Sequence, residues 1–153
     1  MTGRDRNTAG RPENARPRDG LGRPLPKGSV GVERPAVAVD SPTAALELAQ
    51  DLLDADLPFH AHEVLEEWWK RAAAEERPLW QGLAQLAVGL THQRRGNPAG
   101  AVAVTSRGAE ALLAYAADPP HHVDVTGLRA WAERLVADPS ATVPTPRLRH
   151  CRR

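Results

Sequence analysis

A chain of 153 residues with 41% hydrophobic content has room for one ordinary domain and enough apolar material for its core. Its net charge of +1 conceals three unequal parts: residues 1–40 carry +3, residues 41–140 carry −6, and residues 141–153 carry +4. A single cysteine, Cys151, excludes an internal disulfide framework and a multi-cysteine metal site.

Residues 1–40 hold five Pro, six Gly and eight Arg or Lys, with only scattered aliphatics. Such a composition buries too little apolar area to offset chain entropy, so a disordered basic arm is predicted. It lacks the apolar run of a secretory signal. Residues 41–140 read as an all-α domain, rich in Ala and Leu and nearly without β-branched runs. The first helix is predicted from Pro42 to about Asp56, with Ser41 as N-cap and Pro42 in the first turn. A second starts at Pro58 and fades near Ala74. A third runs from Pro78 to Gly96, where glycine supplies a left-handed cap. Asn97-Pro98 opens a fourth, which ends near Ala117 before Pro119-Pro120. A fifth covers about Val125 to Ala137. Short connections make the second, third and fourth helices antiparallel neighbours. The expected architecture is one compact bundle of four to five antiparallel helices. The last segment, residues 141–153, is predicted to be a frayed basic tail.

The stretch Pro78 to Gln93 has no formal charge over sixteen residues, in a chain that is 25% charged. It marks a buried, central helix, too short for the ~20 residues that span a bilayer. No membrane insertion and a cytoplasmic location are therefore expected. Its strongly apolar arc comprises Leu79, Trp80, Leu83, Leu86, Ala87 and Leu90. Opposite runs a stripe of Gln81, Gln85, Gly89 and His92, with Gly82 beside it. Glycine costs about 1 kcal/mol relative to Ala in a helix, so its presence there implies the close approach of a backbone or a ligand.

The second helix sets His62 and Glu66 one turn apart, at the edge of an apolar arc formed by Ala61, Val64, Leu65 and Trp68. Trp68, Trp69 and Trp80 are read as core anchors. His60 is read as exposed, and His121-His122 as a solvated turn. Folding the second helix back on the third brings His62, Glu66, Gln85 and His92 into one polar cluster. Two chemistries suit it. Two His and a carboxylate (His62, Glu66, His92) could hold a divalent zinc, iron or manganese ion and activate water. Alternatively Glu66, or as second choice Glu63, orients His62 as a general base while Gln85 donates to a developing oxyanion. A third reading is a satisfied core network that fixes helix register.

The blocks FHAHEVLEEWW, LWQGLAQLAVGLTH and RGNPAGA, spanning about Leu57 to Leu113, together resemble a small helical family known as domain-of-unknown-function family 309. The resemblance implies a compact all-α domain and brings no established reaction. Its recurrent polar residues map here to His62, Glu63, Glu66, Trp69, Gln85, His92, Gly96 and Asn97. The family pattern carries Glu where this chain has His60.

Two functions follow as expectations. One is a metal- or base-assisted hydrolase acting on a small molecule at the polar cluster. The other is a non-enzymatic module that binds a protein partner, because helices three and four look like one tetratricopeptide hairpin with Gly89, Gly96-Asn97 and Ala101 at its close-packing points. The basic arms add the capacity for weak, salt-dependent nucleic-acid contact, unless they are merely solvated flanks.

Overall fold

The computed structural model describes residues 39–150, and before them only the backbone of a two-residue antiparallel ladder, Asp5–Arg6 with Pro12–Glu13. The expected disorder of the N-terminal arm otherwise lies outside the described residues, as does Cys151.

Five α-helices make up the fold: α1 (Pro42–Asp54), α2 (Pro58–Arg71), α3 (Arg77–Arg94), α4 (Pro98–Leu112) and α5 (Val125–Ala137). Each start has a local cause. Proline stands in the first turn of the first four helices, where its missing N–H costs nothing. The Ser41 hydroxyl accepts from Ala44 N at 3.0 Å, Asn97 Oδ1 from Gly100 N at 3.1 Å, and Asp124 Oδ1 from Gly127 N at 3.0 Å. Gly96, at φ +76°, takes the left-handed conformation that turns α3 into α4. The fourth helix stops earlier than predicted, at Leu112, and tightens into a 3-10 turn from Leu113 to Tyr115.

Each helix packs against the next in the chain, and α3 is the centre. Ten of its residues are buried, as the missing charge predicts. Leu46 of α1, Leu65 of α2, Trp80 and Leu83 of α3, Leu112 of α4 and Leu128 of α5 are each fully enclosed. The glycines of α3 face α4. A Cβ on Gly82 would stand 3.0 Å from the Gly108 carbonyl oxygen, and one on Gly89 would fall 1.9 Å from Thr105 Oγ1. Later residues of α3 thus meet earlier residues of α4, which makes the pair antiparallel. What these glycines approach is α4, its backbone at Gly82 and the Thr105 side chain at Gly89.

The basic C-terminal segment, expected to fray, is laid against the bundle as far as His150. Val143 and Leu148 are buried at 5% and 2% exposure. The Trp131 indole donates to the Pro144 carbonyl at 2.7 Å, and Gln50 of α1 both donates to the Pro146 carbonyl and accepts from Leu148 N. Val123 and Arg149 form an antiparallel bridge, flanked by Asp124 N to Leu148 O at 2.9 Å and His150 N to His122 O at 3.1 Å. Buried Val143, Pro146 and Leu148, together with these hydrogen bonds, dock the Arg-rich segment.

Candidate functional site

The cleft between α2 and α3 collects most of the predicted polar cluster. Its lining is His62, Glu66, Trp69, Gln81, Ala84, Gln85 and Val88, around a volume of about 180 Å³. On α2, His62, Glu66 and Trp69 follow one another at helical spacing, so a single stripe supplies three lining side chains. On α3, Gln81, Gln85 and Val88 do the same, and the small Ala84 leaves the hollow between them. Glu66 and Gln85 therefore share one space.

His62 Nε2 and Glu66 Oε2 lie 2.8 Å apart, with the side chains 20% and 44% exposed. The inner member is His62: its Nδ1 is buried and finds no partner among the protein atoms. The Phe59 ring packs on the imidazole, its centroid 5.6 Å away. The outer member is Glu66, whose carboxylate reaches the cleft. His62 is thus the more enclosed member of the pair and Glu66 the more exposed.

Two predicted members go elsewhere. Glu63 turns to His60, with Oε1 and Nδ1 3.2 Å apart. His60 is itself buried at 4% exposure, contrary to the expected surface position, and its Nε2 has no partner. His92 belongs to the α3–α4 turn: its Nδ1 is 3.2 Å from Asn97 Nδ2, and its ring abuts Gly100. Burial, and then the charge of Arg95, push the His92 pKa below its ordinary value. Among the described residues no group of three or more His, Cys, Asp or Glu gathers as a metal-ligand set. The donor set His62, Glu66 and His92 does not converge, because α3 carries His92 beyond the cleft.

The tryptophans divide. Trp80 is fully buried and packs on Trp68 at 6.1 Å between ring centroids, while Trp69 walls the cleft. His121 is not simply solvated: its Nε2 lies 2.6 Å from Glu76 Oε1, which also accepts from the Trp80 indole at 3.3 Å.

What the fold and cleft define is a small helical-bundle domain with one polar hollow beside its central helix. Residues 46–104 match the family described as Domain of unknown function (DUF309). The chain is 52% identical over 44 residues to "Uncharacterized protein YpuF" of Bacillus subtilis (strain 168). That alignment covers 28% of this chain and 25% of the relative, so the chain matches about a quarter of the relative's length. No solved structure matches it. No described helix is long and apolar enough to cross a membrane.

Proposed function

We propose that the α2–α3 cleft binds a small polar molecule with a carbonyl group, and that Glu66 acts there as general base in its hydrolysis. The supporting observation is the pairing across one hollow of a His62-held carboxylate with two carboxamides, Gln81 and Gln85.

In this reading His62 Nε2–H donates to one oxygen of Glu66 and fixes the carboxylate, leaving the other oxygen to take a proton from water. The water oxygen bonds to the carbonyl carbon, and the Gln85 amide donates to the carbonyl oxygen as it gains charge. The tetrahedral intermediate collapses by expelling the leaving group, which takes the proton from Glu66. A cleft of about 180 Å³ holds an acyl group of a few heavy atoms, with the leaving group in solvent. Trp69 and Val88 supply the apolar contact.

The test is hydrolysis of a panel of short-chain p-nitrophenyl esters and anilides by the full chain and by Glu66→Gln. Loss of about 10²–10⁴-fold in rate is expected if the carboxylate is the base. Equal rates in both proteins overturn the assignment.

A second reading has its own observation. The interlocked α3–α4 hairpin, closed at Gly82–Gly108 and Gly89–Thr105, has the tight packing of a helical-repeat unit, which suits a protein-binding module with a structural polar cluster. Under that reading Glu66→Gln and Gln85→Ala change stability, and neither the variants nor the parent chain turns over an ester.

A further inference from the structure

A second hollow, larger than the first, borders α1. It holds about 430 Å³ between α1 and the C-terminal extended segment, lined by Leu46, Gln50, His122, Arg147, Leu148, Arg149 and His150. Among the described residues no acidic side chain lines it, while four cationic or protonatable ones do. Leu46 and Leu148, both buried, form its floor.

The chain builds this arrangement at some cost. His121 and His122 both adopt left-handed backbone, at φ +54° and +61°, a conformation that non-glycine residues rarely hold. That turn is pinned by the bond from His150 N to the His122 carbonyl and by the Val123–Arg149 bridge. Gln50 fixes the opposite side, holding Leu148 N at 2.9 Å and the Pro146 carbonyl at 3.0 Å. The cations therefore ride on backbone clamped at both edges.

The acids nearby pair with three of the four cations. Arg147 reaches Asp54 at 3.6 Å, Arg149 reaches Glu47 at 3.3 Å, and His150 reaches Asp124 at 3.6 Å. All three pairs have a partner more than half exposed, and such ion pairs contribute about 0–1 kcal/mol, so an entering anion can compete for the guanidinium groups. Arginine presents paired N–H donors that match phosphoryl oxygens. Arg147 and Arg149 stand on either side of Leu148, where the chain bends, and both line the hollow, so two guanidinium groups are available to one ligand.

We infer that this hollow is a binding site for a small phosphorylated molecule, held by Arg147, Arg149, His122 and His150 over the Leu46–Leu148 floor. Its volume suits a nucleotide-sized ligand.

The experiment titrates the full chain with inorganic pyrophosphate and with a nucleoside 5′-monophosphate, reading heat by calorimetry and the imidazole C–H resonances by NMR. Saturable binding is expected, with the His122 and His150 resonances moving and the His62 resonance still. Arg147→Gln/Arg149→Gln should weaken binding at least tenfold. Because Arg149 sits in the bridge to Val123, His122→Asn is the second variant: asparagine tolerates left-handed backbone, keeps the turn and removes the imidazole, and should also weaken binding. Each variant's melting temperature shows whether it is folded. No resonance shift at millimolar pyrophosphate overturns the proposal, as does equal binding by folded variants. So does tighter binding of a single-stranded oligonucleotide that survives the double substitution, since that would make the attraction general to polyanions.

Discussion

Gly89 of α3 lies directly beneath Thr105 of α4, so close that a methyl group on it would overlap the threonine hydroxyl at 1.9 Å. Thr105 is fully buried, so its side chain has little room to withdraw, and its Oγ1 finds no hydrogen-bond partner among the described residues. The contact sets the distance between the two most interlocked helices. Gly89→Ala should therefore destabilise the domain by about 1–3 kcal/mol, despite alanine's better helix propensity. Thr105→Ala removes the obstructing atoms, so the pair Gly89→Ala/Thr105→Ala should recover most of the loss. Urea denaturation of the single and double variants measures the coupling, and additive effects would disprove the contact.

Leu148, in the basic C-terminal segment, is 2% exposed and flanked by two arginines. Leu148→Ala should cost about 2–5 kcal/mol, the range for a buried leucine, whereas a frayed tail would give no change. Gln50→Ala should cost about 1–3 kcal/mol, since it strands Leu148 N and the Pro146 carbonyl at the same edge. Chemical denaturation of both variants reads these values.

The helices were legible because local signals agreed. Proline starts, Ser41, Asn97 and Asp124 caps, and Gly96 at the turn each act within a few residues of their own position. The cleft was partly legible for the same reason: His62–Glu66 and Gln81–Gln85 are one-turn pairs on adjacent helices, so antiparallel packing forces them to meet. Tertiary placement was not. His60 and His62 differ by two residues on one helix, and only the position of the neighbouring elements makes His60 the more buried. His92 shares the stripe of Gln85 but lies about two turns further along, beyond the end of the cleft. In the C-terminal segment, charge density outweighed Val143 and Leu148 in the reading, although those two side chains decide the packing.

His92 gives the domain a pH-dependent component of stability. Burial and the charge of Arg95 hold its pKa below the ordinary 6.5, so between the native value and 6.5 the unfolded chain binds more protons than the folded one. Stability from this group is whole above pH 6.5 and is lost as pH falls from there through the native pKa. The geometry agrees in sign: the Asn97 amide, oriented by its bond to Gly100 N, aims a donor at Nδ1, which can accept only while unprotonated. His92→Gln should flatten this part of the profile. Urea midpoints at pH 5 and pH 8 for both proteins, with an NMR titration of His92, are the check. A His92 titration at or above 6.5 would refute it.

The His62–Glu66 pair separates a structural role from a chemical one, because its members differ in exposure. Glu66 is 44% exposed, so removing its charge leaves solvent to satisfy what remains, and Glu66→Gln should shift stability by no more than about 1 kcal/mol. His62 is only 20% exposed, its Nδ1 is covered and its ring packs on Phe59, so His62→Ala opens a gap beside α2 and should cost more, about 1–3 kcal/mol. If Glu66 performs the proton transfer, both variants lose turnover while only the second loses much stability. A conservative change, His62→Gln, retains an N–H donor for the carboxylate and should restore part of the rate. Thermal melts run beside the ester-hydrolysis assay decide this. A Glu66→Gln protein that is strongly destabilised would instead assign the carboxylate to the scaffold.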